Sequence, residues 1–401
     1  MSKTSLALHN LRGFAILNVL AFHSLIAYIA SQPPAPLPFD NPDGWTAHPI
    51  VDAHRWLGFD LICAFEFLCL MQLMFLLSGL FVWPSLERKG AGTFLYDRLL
   101  RVGVPFVLGA SLLMPLAYYA VYRETATDPS WSAFWSHWTA LPFWPAGPMW
   151  FLWFLLVLNV AATALHWMAP RSGEFLARLS ATGAARPGRL FLLLAGLSAL
   201  TYVPLARIFT PWQWVEFGPF AFQPALAPQY ILYFIAGLAL GAYGFDRGLL
   251  GSDGVLVRRW PYWLACAAVA FVLWLAATGL IVTGPGAGVP GLQIAADFGF
   301  VLFAASACFG FAATFLRFVA VRLPILDSIS ENAYGIYLFH YLFVLWTQYA
   351  LLDLALPAAA KGLIVFLVTL ALSWTATAVM CCIPLGARLM RGKSRELARS
   401  A

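Results

Sequence analysis

The first apolar segment of the chain carries two ionisable residues, Arg12 and His23, that could take part in chemistry. They are eleven residues apart, so on an α-helix both side chains leave nearly the same face. Their separation along the helix axis is about 16 Å. With Arg12 at one edge of a bilayer core about 30 Å thick, His23 lies near its middle. An ionisable group is costly at that depth, which favours a functional role; the alternative is a histidine hydrogen-bonded between packed helices.

A second pair of basic residues, Arg98 and Arg101, precedes the third apolar segment. Residues three apart on a helix share a broad face. Two guanidinium groups in this arrangement could bind phosphate oxygens through forked hydrogen bonds. The alternative is that both arginines only anchor the helix at the cytoplasmic surface.

Four other polar residues lie within apolar segments. Glu66 must be protonated, paired or hydrated there, and Asp297 could pair with another buried polar group. Tyr337 and His340 are three residues apart and share a helix face. Glu66, Tyr337 and His340 are therefore candidate auxiliary residues, although a structural hydrogen bond explains His340 equally well.

The composition defines the class of protein. Of 401 residues, 61% are hydrophobic and 10% are charged, and the mean hydropathy is +0.77. These values predict an all-α, polytopic integral membrane protein without a large soluble domain. The net charge of +6 does not indicate nucleic-acid binding, because the basic residues are dispersed at the ends of apolar runs.

Motifs for metals and tightly bound cofactors are not found in the sequence. The six cysteines lie within apolar runs, where cysteine usually acts as a small hydrophobic residue. The sequence contains no zinc-binding spacing, P-loop or dinucleotide-binding glycine pattern. We therefore expect no metal site and no tightly bound cofactor.

Ten apolar segments predict about ten transmembrane helices. These segments are 12–30, 57–83, 102–122, 149–168, 189–207, 228–245, 260–283, 291–316, 333–350 and 361–383. With the N-terminus inside, all but four of the 24 Lys and Arg residues fall on the cytoplasmic side. This distribution predicts that both termini are cytoplasmic. Residues 1–383 would form the transmembrane domain and 384–401 a short basic cytoplasmic tail.

The predicted outer loops differ in composition. The first, residues 31–56, is rich in proline and acidic residues, which predicts an extended and solvated loop. The later ones are rich in aromatic residues, including Trp131, Trp135, Trp212 and Trp214. Aromatic residues are common at membrane interfaces. Their faces could also stack on the sugar rings of a glycan, so both interpretations stay open.

Taken together, the motifs resemble the acyltransferase 3 family of membrane-bound O-acyltransferases over essentially the whole chain. The motifs that carry the resemblance are Arg12 and His23 in the first span, Phe75–Gly79 at the end of the second, Arg98 and Arg101 before the third, Met149–Leu152 at the start of the fourth, and Tyr334–His340 in the ninth. The segment Arg101–Pro105, and the end of the chain soon after the tenth span, are most similar to the branch that includes periplasmic glucan succinyltransferases.

The resemblance implies transfer of an acyl group, such as acetyl or succinyl, from cytoplasmic acyl-CoA to a hydroxyl of a glycan or other acceptor. Acyl-CoA would be a co-substrate, and the protein would lie in the cell inner membrane. The family's functional positions correspond to Arg12, His23, Arg98 and Arg101. We expect the three arginines to bind the CoA phosphates and the neutral His23 imidazole to accept the hydroxyl proton.

Two other functions fit the buried polar residues. A multi-span transporter could use His23, His340 and Glu66, together with Asp297, as an ion or proton path. An acyl-group exporter could deliver acyl groups to a partner protein, with the same residues acting as gates. Release of free CoA in the presence of an acceptor would distinguish the enzyme from both.

Overall fold

The computed structural model describes residues 2–34 and 36–391, which form a bundle of helices with one small hairpin of strands. The α-helices in chain order are α1 (Lys3–Leu25), α2 (Pro42–Trp45), α3 (Leu57–Leu80), α4 (Val82–Lys89), α5 (Ala91–Arg98), α6 (Val104–Leu108), α7 (Met114–Thr125), α8 (Trp131–Ala140), α9 (Trp150–Met168), α10 (Ser172–Ala185), α11 (Pro187–Ile208), α12 (Ala227–Tyr243), α13 (Val255–Arg258), α14 (Trp260–Val282), α15 (Pro290–Phe318), α16 (Pro324–Leu351), α17 (Ala358–Cys382) and α18 (Pro384–Arg391). Short 3₁₀ helices cover Ile26–Tyr28, Gly147–Met149 and Gly248–Leu250, and π-helical segments cover Leu99–Gly103 and Gly109–Leu113. The strands are β1 (Val215–Phe217) and β2 (Phe220–Phe222).

Within the described ranges, eight helical stretches are long and apolar enough to cross a membrane. They are Lys3–Tyr28, Leu57–Lys89, Ala91–Thr125, Gly147–Met168, Pro187–Ile208, Trp260–Val282, Pro290–Phe318 and Ala358–Cys382. The other two predicted spans coincide with α12, which is apolar but shorter, and with α16, which contains several polar residues. The protein is therefore a multi-pass membrane protein, and the total of ten spans and the orientation stay predictions.

The hairpin β1–β2 is an exception to the predicted all-α class. Its strands are antiparallel, with Val215 opposite Phe222. Gly218 has a φ of 55° in the turn between them, a conformation that glycine adopts without strain. The indole of Trp153 donates a hydrogen bond of 3.1 Å to the Ala221 carbonyl, which fixes the hairpin against α9.

The loop at 31–56 is more buried than its composition predicted. Trp45 and Asp52 are both fully buried, and the Trp45 ring stacks on Phe39 with centroids 5.1 Å apart. Arg55 donates hydrogen bonds to the carbonyls of Gln32 and Pro33, at 2.7 and 2.8 Å. The prediction of an extended, solvated loop was wrong, because a few apolar and charged side chains tie it to the bundle.

Helix α1 begins earlier than the predicted span at 12–30. Ser2 caps its N-terminus, where the side-chain oxygen accepts a hydrogen bond from the Ser5 amide. Asn10 donates hydrogen bonds to the carbonyls of Val319 and Val321, at 2.7 and 3.0 Å. Thr4, Ala7 and Leu8 of these early turns are also buried. Arg12 therefore lies inside the helix rather than at its edge.

Helix α1 lies at the centre of the bundle, in contact with α3, α15, α16 and α17. It approaches α16 closely at Gly13, where a Cβ atom would lie only 2.1 Å from the Ser330 Oγ. Glycine at this position lets α1 and α16 pack closely. Polar groups at corresponding heights of these two helices are therefore brought together.

Part of the predicted tail is helical. Residues 384–391 of the predicted tail form α18, which contacts α17. The rest of the tail, 392–401, lies outside the described residues.

Candidate active site

Arg12 and His23 lie on the same uninterrupted helix, α1. The straight-helix separation of about 16 Å therefore applies to them. Arg12 donates a hydrogen bond of 3.0 Å to the carbonyl oxygen of Ser330 on α16. His23 lies in the last turn of α1, and Gln348 donates a hydrogen bond of 2.9 Å to its carbonyl oxygen. Helix α16 thus fixes α1 at the levels of both residues.

A sharp corner between α4 and α5 brings further basic residues to this part of the bundle. Gly90 joins the two helices with a φ of 76°, which favours glycine. Across the corner, Lys89 forms an ion pair with Asp97, with the charged atoms 2.5 Å apart. The end of α4 therefore lies beside the last turn of α5, where Arg98 is located.

Arg101 lies within the π-helical segment Leu99–Gly103. Pro105 has no N–H to donate to the carbonyl four residues earlier, so the Arg101 carbonyl loses its usual helical partner. The Tyr334 hydroxyl donates a hydrogen bond to this carbonyl. Arg98 lies over the Phe94 ring, with its guanidinium carbon 4.8 Å from the ring centroid. Phe94 thus positions the Arg98 side chain, and Tyr334 fixes the Arg101 backbone.

Arg12, Arg98 and Arg101 all line one cavity of about 330 Å³. Its other polar lining residues are Ser78, Ser85, Arg88, Lys89, Asp97, Asn159, Tyr334 and Tyr337. The exposed Arg88 and Lys89 mark its mouth, whereas Leu152 and Tyr337 are buried. The cavity thus has a basic mouth and a largely apolar inner wall, which suits a ligand with a polyanionic head and a long, less polar arm.

His340 connects this cavity to His23. Its ring centroid lies 5.7 Å from that of the cavity-lining Tyr337 and 5.2 Å from that of His23. The Nδ1 atom of His340 donates a hydrogen bond of 2.6 Å to the Tyr337 carbonyl, so in the neutral ring Nε2 carries the lone pair. This Nε2 atom is buried and has no hydrogen-bond partner in the described part of the chain.

The predicted site residues divide into two groups. The cavity brings together Arg12, Arg98 and Arg101 and also includes Tyr337. His23 and His340 are not among its lining residues and form a contacting pair beyond Tyr337.

Glu66 belongs to neither group, but it lies on the face of α3 that lines the cavity. It is 4% exposed, and its Oε2 has no hydrogen-bond partner among the described residues. Leu77, which lines the cavity, is eleven residues further along α3 and so leaves nearly the same helix face. Glu66 therefore lies about 16 Å from Leu77 along α3, on the far side from the cavity mouth.

Asp297 has a structural partner. Arg207 forms an ion pair with it, with the closest charged atoms 2.7 Å apart. Asp297 is paired as predicted, but its partner Arg207 is exposed and is not a buried polar group, and the pair joins α11 to α15.

The outer tryptophans are partly exposed. Trp131 is 43% exposed and Trp135 40%, and their ring planes are inclined by only 20°. Trp212 is exposed and also stacks on Phe67, whereas Trp214 packs edge-on against Trp150. These positions are compatible with both an interfacial belt and a glycan contact.

The sequence patterns do not predict that Ser85, Arg88 or Tyr334 line a cavity. The position of Arg88 beside an apolar segment predicts only a basic residue at the membrane surface. The sequence signal for the corner is Lys89-Gly90, a basic helix end followed by glycine. Among the residues described, no group of three or more His, Cys, Asp or Glu side chains is arranged to hold a metal ion.

The bundle defines a multi-pass membrane protein with a cavity lined by five basic residues. The family model for the acyltransferase 3 domain matches residues 5–378. The chain therefore belongs to the acyltransferase 3 family. Comparison with curated proteins and with solved structures gives no match.

Proposed function

We propose that this protein transfers an acyl group from acyl-CoA to a hydroxyl of a glycan or similar acceptor. The observation that best supports the proposal is that Arg12, Arg98 and Arg101 converge on one cavity whose buried end reaches Tyr337, beside the histidine pair. The diphosphate of CoA binds the three guanidinium groups through charge-assisted hydrogen bonds. The pantetheine arm then follows the apolar wall toward His23, across the separation of about 16 Å set by α1.

At His23, the acceptor hydroxyl gives its proton to the neutral imidazole. The hydroxyl oxygen attacks the thioester carbonyl carbon, a C–O bond forms and the C–S bond breaks. The proton passes from His23 to the departing CoA sulfur, so the histidine returns to its neutral form. A positioned general base contributes about 10²–10⁴ in rate.

The proposal extends to the acyl donor, the acceptor and the membrane in which the protein lies. Acyl-CoA is a cytoplasmic co-substrate, both termini are cytoplasmic, and the protein lies in the inner membrane. Acetyl and succinyl are the favoured acyl groups because of the resemblance to the glucan succinyltransferase branch. Trp131 and Trp135 contact the glycan acceptor by stacking on its rings.

The orientation can be tested by labelling. A cysteine in place of Pro36 should react with a membrane-impermeant thiol reagent added from outside, in a background in which the exposed Cys382 is changed to serine. Labelling that requires permeabilised cells would reverse the orientation.

The reaction can be tested with purified protein in detergent. Acetyl-CoA or succinyl-CoA is mixed with a glucan oligosaccharide, and both free CoA thiol and acylated sugar are measured. Wild-type protein should release CoA in step with acylation of the sugar. Uptake of glucan or acyl groups into proteoliposomes without CoA release would instead support the transporter or exporter.

Variants separate binding from chemistry. His23→Ala should lower turnover at least about 100-fold while acyl-CoA affinity stays unchanged. Arg98→Ala and Arg101→Ala should each weaken acyl-CoA binding by about 10- to 100-fold, as expected for a lost charge-assisted bond. The control is Arg186→Ala, an exposed arginine outside the cavity, which should change neither quantity. Wild-type acylation by His23→Ala would rule out its role as the base.

A further inference from the structure

Arg88 is a basic residue at the mouth of the cavity, and it has no role in the proposed reaction. Its side chain is exposed and lines the cavity. In the part of the chain that the structure describes, no hydrogen bond, ion pair or aromatic partner of Arg88 is found. Its neighbour Lys89 differs, because the Asp97 carboxylate already neutralises it. Arg88 is therefore the cation at the mouth that is available to an anion.

The basic residues differ in burial, because Arg88 is exposed whereas Arg98 and Arg101 are half-buried. Arg88 lies at the end of α4, before the Gly90 corner, and Arg98 lies at the end of α5, beyond it. Arg101 follows three residues later in the chain, where its carbonyl contacts Tyr334. A ligand whose diphosphate binds Arg98 and Arg101 would extend its outermost group toward Arg88.

The charges of the cavity exceed what a diphosphate requires. Five basic residues line it, namely Arg12, Arg88, Lys89, Arg98 and Arg101, against the single described carboxylate of Asp97. A diphosphate diester carries two negative charges. A phosphate monoester adds a charge of about −2 at neutral pH. CoA carries both groups, because its ribose has a 3′-phosphate in addition to the diphosphate.

We propose that Arg88, assisted by the Ser85 hydroxyl, binds the 3′-phosphate of CoA and makes the protein prefer CoA thioesters to dephospho-CoA thioesters. Ser85 lies three residues before Arg88 on α4, on the same side of the helix, and also lines the cavity. The guanidinium group provides forked donors for the phosphate oxygens, and the hydroxyl provides one more. This inference rests on the proposed function, since it identifies which part of acyl-CoA binds at the mouth.

The same cation could instead bind the phosphate of an anionic lipid. To decide whether the phosphate comes from CoA or from a lipid, the affinities for CoA and 3′-dephospho-CoA are measured by calorimetry. The measurements are made first in a neutral detergent and then in nanodiscs that contain phosphatidylglycerol. The proteins compared are wild type, Arg88→Ala, Arg98→Ala and the control Arg186→Ala. Arg88 is exposed, so its replacement should leave the fold intact.

Wild-type protein should bind CoA at least about tenfold more tightly than dephospho-CoA. Arg88→Ala should lose this preference and retain the wild-type affinity for dephospho-CoA. Arg98→Ala should weaken the binding of both ligands and keep the preference for CoA. Arg186→Ala should match wild type.

Three results would overturn the inference. In the first, Arg88→Ala still binds CoA more tightly than dephospho-CoA. In the second, Arg88→Ala loses affinity for CoA and for dephospho-CoA by the same factor. In the third, its affinities are unchanged except that they no longer respond to phosphatidylglycerol. The last result would assign Arg88 to lipid binding. Failure of wild-type protein to bind either nucleotide would reject the proposed function itself, whereas CoA binding without preference would reject only the role of Arg88.

Discussion

The imidazole rings of His23 and His340 lie with their centroids 5.2 Å apart and their planes inclined by 42°. His340 uses Nδ1–H to bond the Tyr337 carbonyl, so its lone pair is on Nε2. This nitrogen is buried, and no described residue donates a hydrogen bond to it. A His23 ring that turns one N–H toward this lone pair would have its other nitrogen free as the base, so the pair can set the tautomer of His23.

The first prediction concerns His340 as a positioning residue. His340→Ala should lower kcat about tenfold, because it removes the acceptor that would set the tautomer of His23, an effect of about 1.4 kcal/mol. The KM for acyl-CoA should not change, because the arginines that bind it are untouched. His340→Gln retains an acceptor on a side chain of similar length and should recover part of kcat. Steady-state kinetics with varied acyl-CoA would test this, and equal kcat values for the alanine and glutamine variants would contradict it.

The second prediction concerns the Arg101 carbonyl, whose usual donor is missing at Pro105 and replaced by the Tyr334 hydroxyl. Tyr334→Phe should lower the free energy of unfolding by about 1 kcal/mol, because the carbonyl then loses the hydroxyl donor. Pro105→Ala supplies a backbone N–H four residues after Arg101. In the Pro105→Ala background, Tyr334→Phe should lower the free energy of unfolding by much less.

The measurement is a double-mutant cycle by equilibrium unfolding in mixed micelles. Equal costs of Tyr334→Phe in the two backgrounds would show that the proline and the tyrosine are independent, contrary to this interpretation.

Sequence patterns were informative where the relevant geometry is local. The eleven-residue spacing of Arg12 and His23 depends only on the period of one helix, and α1 contains both without a break. The helical class followed from long apolar segments, which must satisfy their own backbone hydrogen bonds in a membrane. The start of α1 was not predicted, because a polar residue such as Asn10 finds its partners in a distant part of the chain.

Non-local contacts could not be predicted from the sequence. The pairing of His23 with His340 depends on the packing of α1 against α16, which Gly13 permits. Arg88 and Arg98 line the same cavity because the chain turns at Gly90, and a glycine after a helix predicts a helix end but not the direction of the next helix. The buried position of Asp52 likewise depends on Lys361, far along the chain.

The third prediction concerns the close contact of α3 with α12. A Cβ atom at Gly79 would lie 2.2 Å from the Phe234 carbonyl oxygen, and backbone cannot move aside cheaply. Gly79→Ala should therefore lower the free energy of unfolding by about 1–3 kcal/mol. The control is Gly196→Ala in α11, where a Cβ atom meets nothing within 4 Å. It should be neutral or stabilising by up to about 1 kcal/mol, because alanine favours helix. Thermal unfolding in detergent would rank the variants, and similar midpoints for both would refute the packing argument.

The fourth prediction concerns Asp52 and Lys361, a buried ion pair that fixes the loop at 31–56 to α17. Both side chains are fully buried, and the Lys361 Nζ lies 2.6 Å from the Asp52 Oδ2. Nζ also donates a hydrogen bond of 3.1 Å to the Leu352 carbonyl, and the Asp52 Oδ1 accepts one of 2.7 Å from the His54 amide. The remaining hydrogen-bonding capacity of both ions is thus partly satisfied by the backbone.

Lys361→Met should lower the free energy of unfolding by about 3–5 kcal/mol, because it removes the lysine that compensates the buried Asp52 carboxylate and leaves only the His54 imidazole, 3.2 Å away, beside it. Adding Asp52→Asn removes that charge and should recover a large part of the loss. Arg178→Ala is the control, since its pair with Glu174 is exposed and should contribute less than about 1 kcal/mol. Denaturant unfolding of the three variants tests this order. A double variant less stable than Lys361→Met alone would show that the loop is held by the hydrogen bonds of Asp52 and not by its charge.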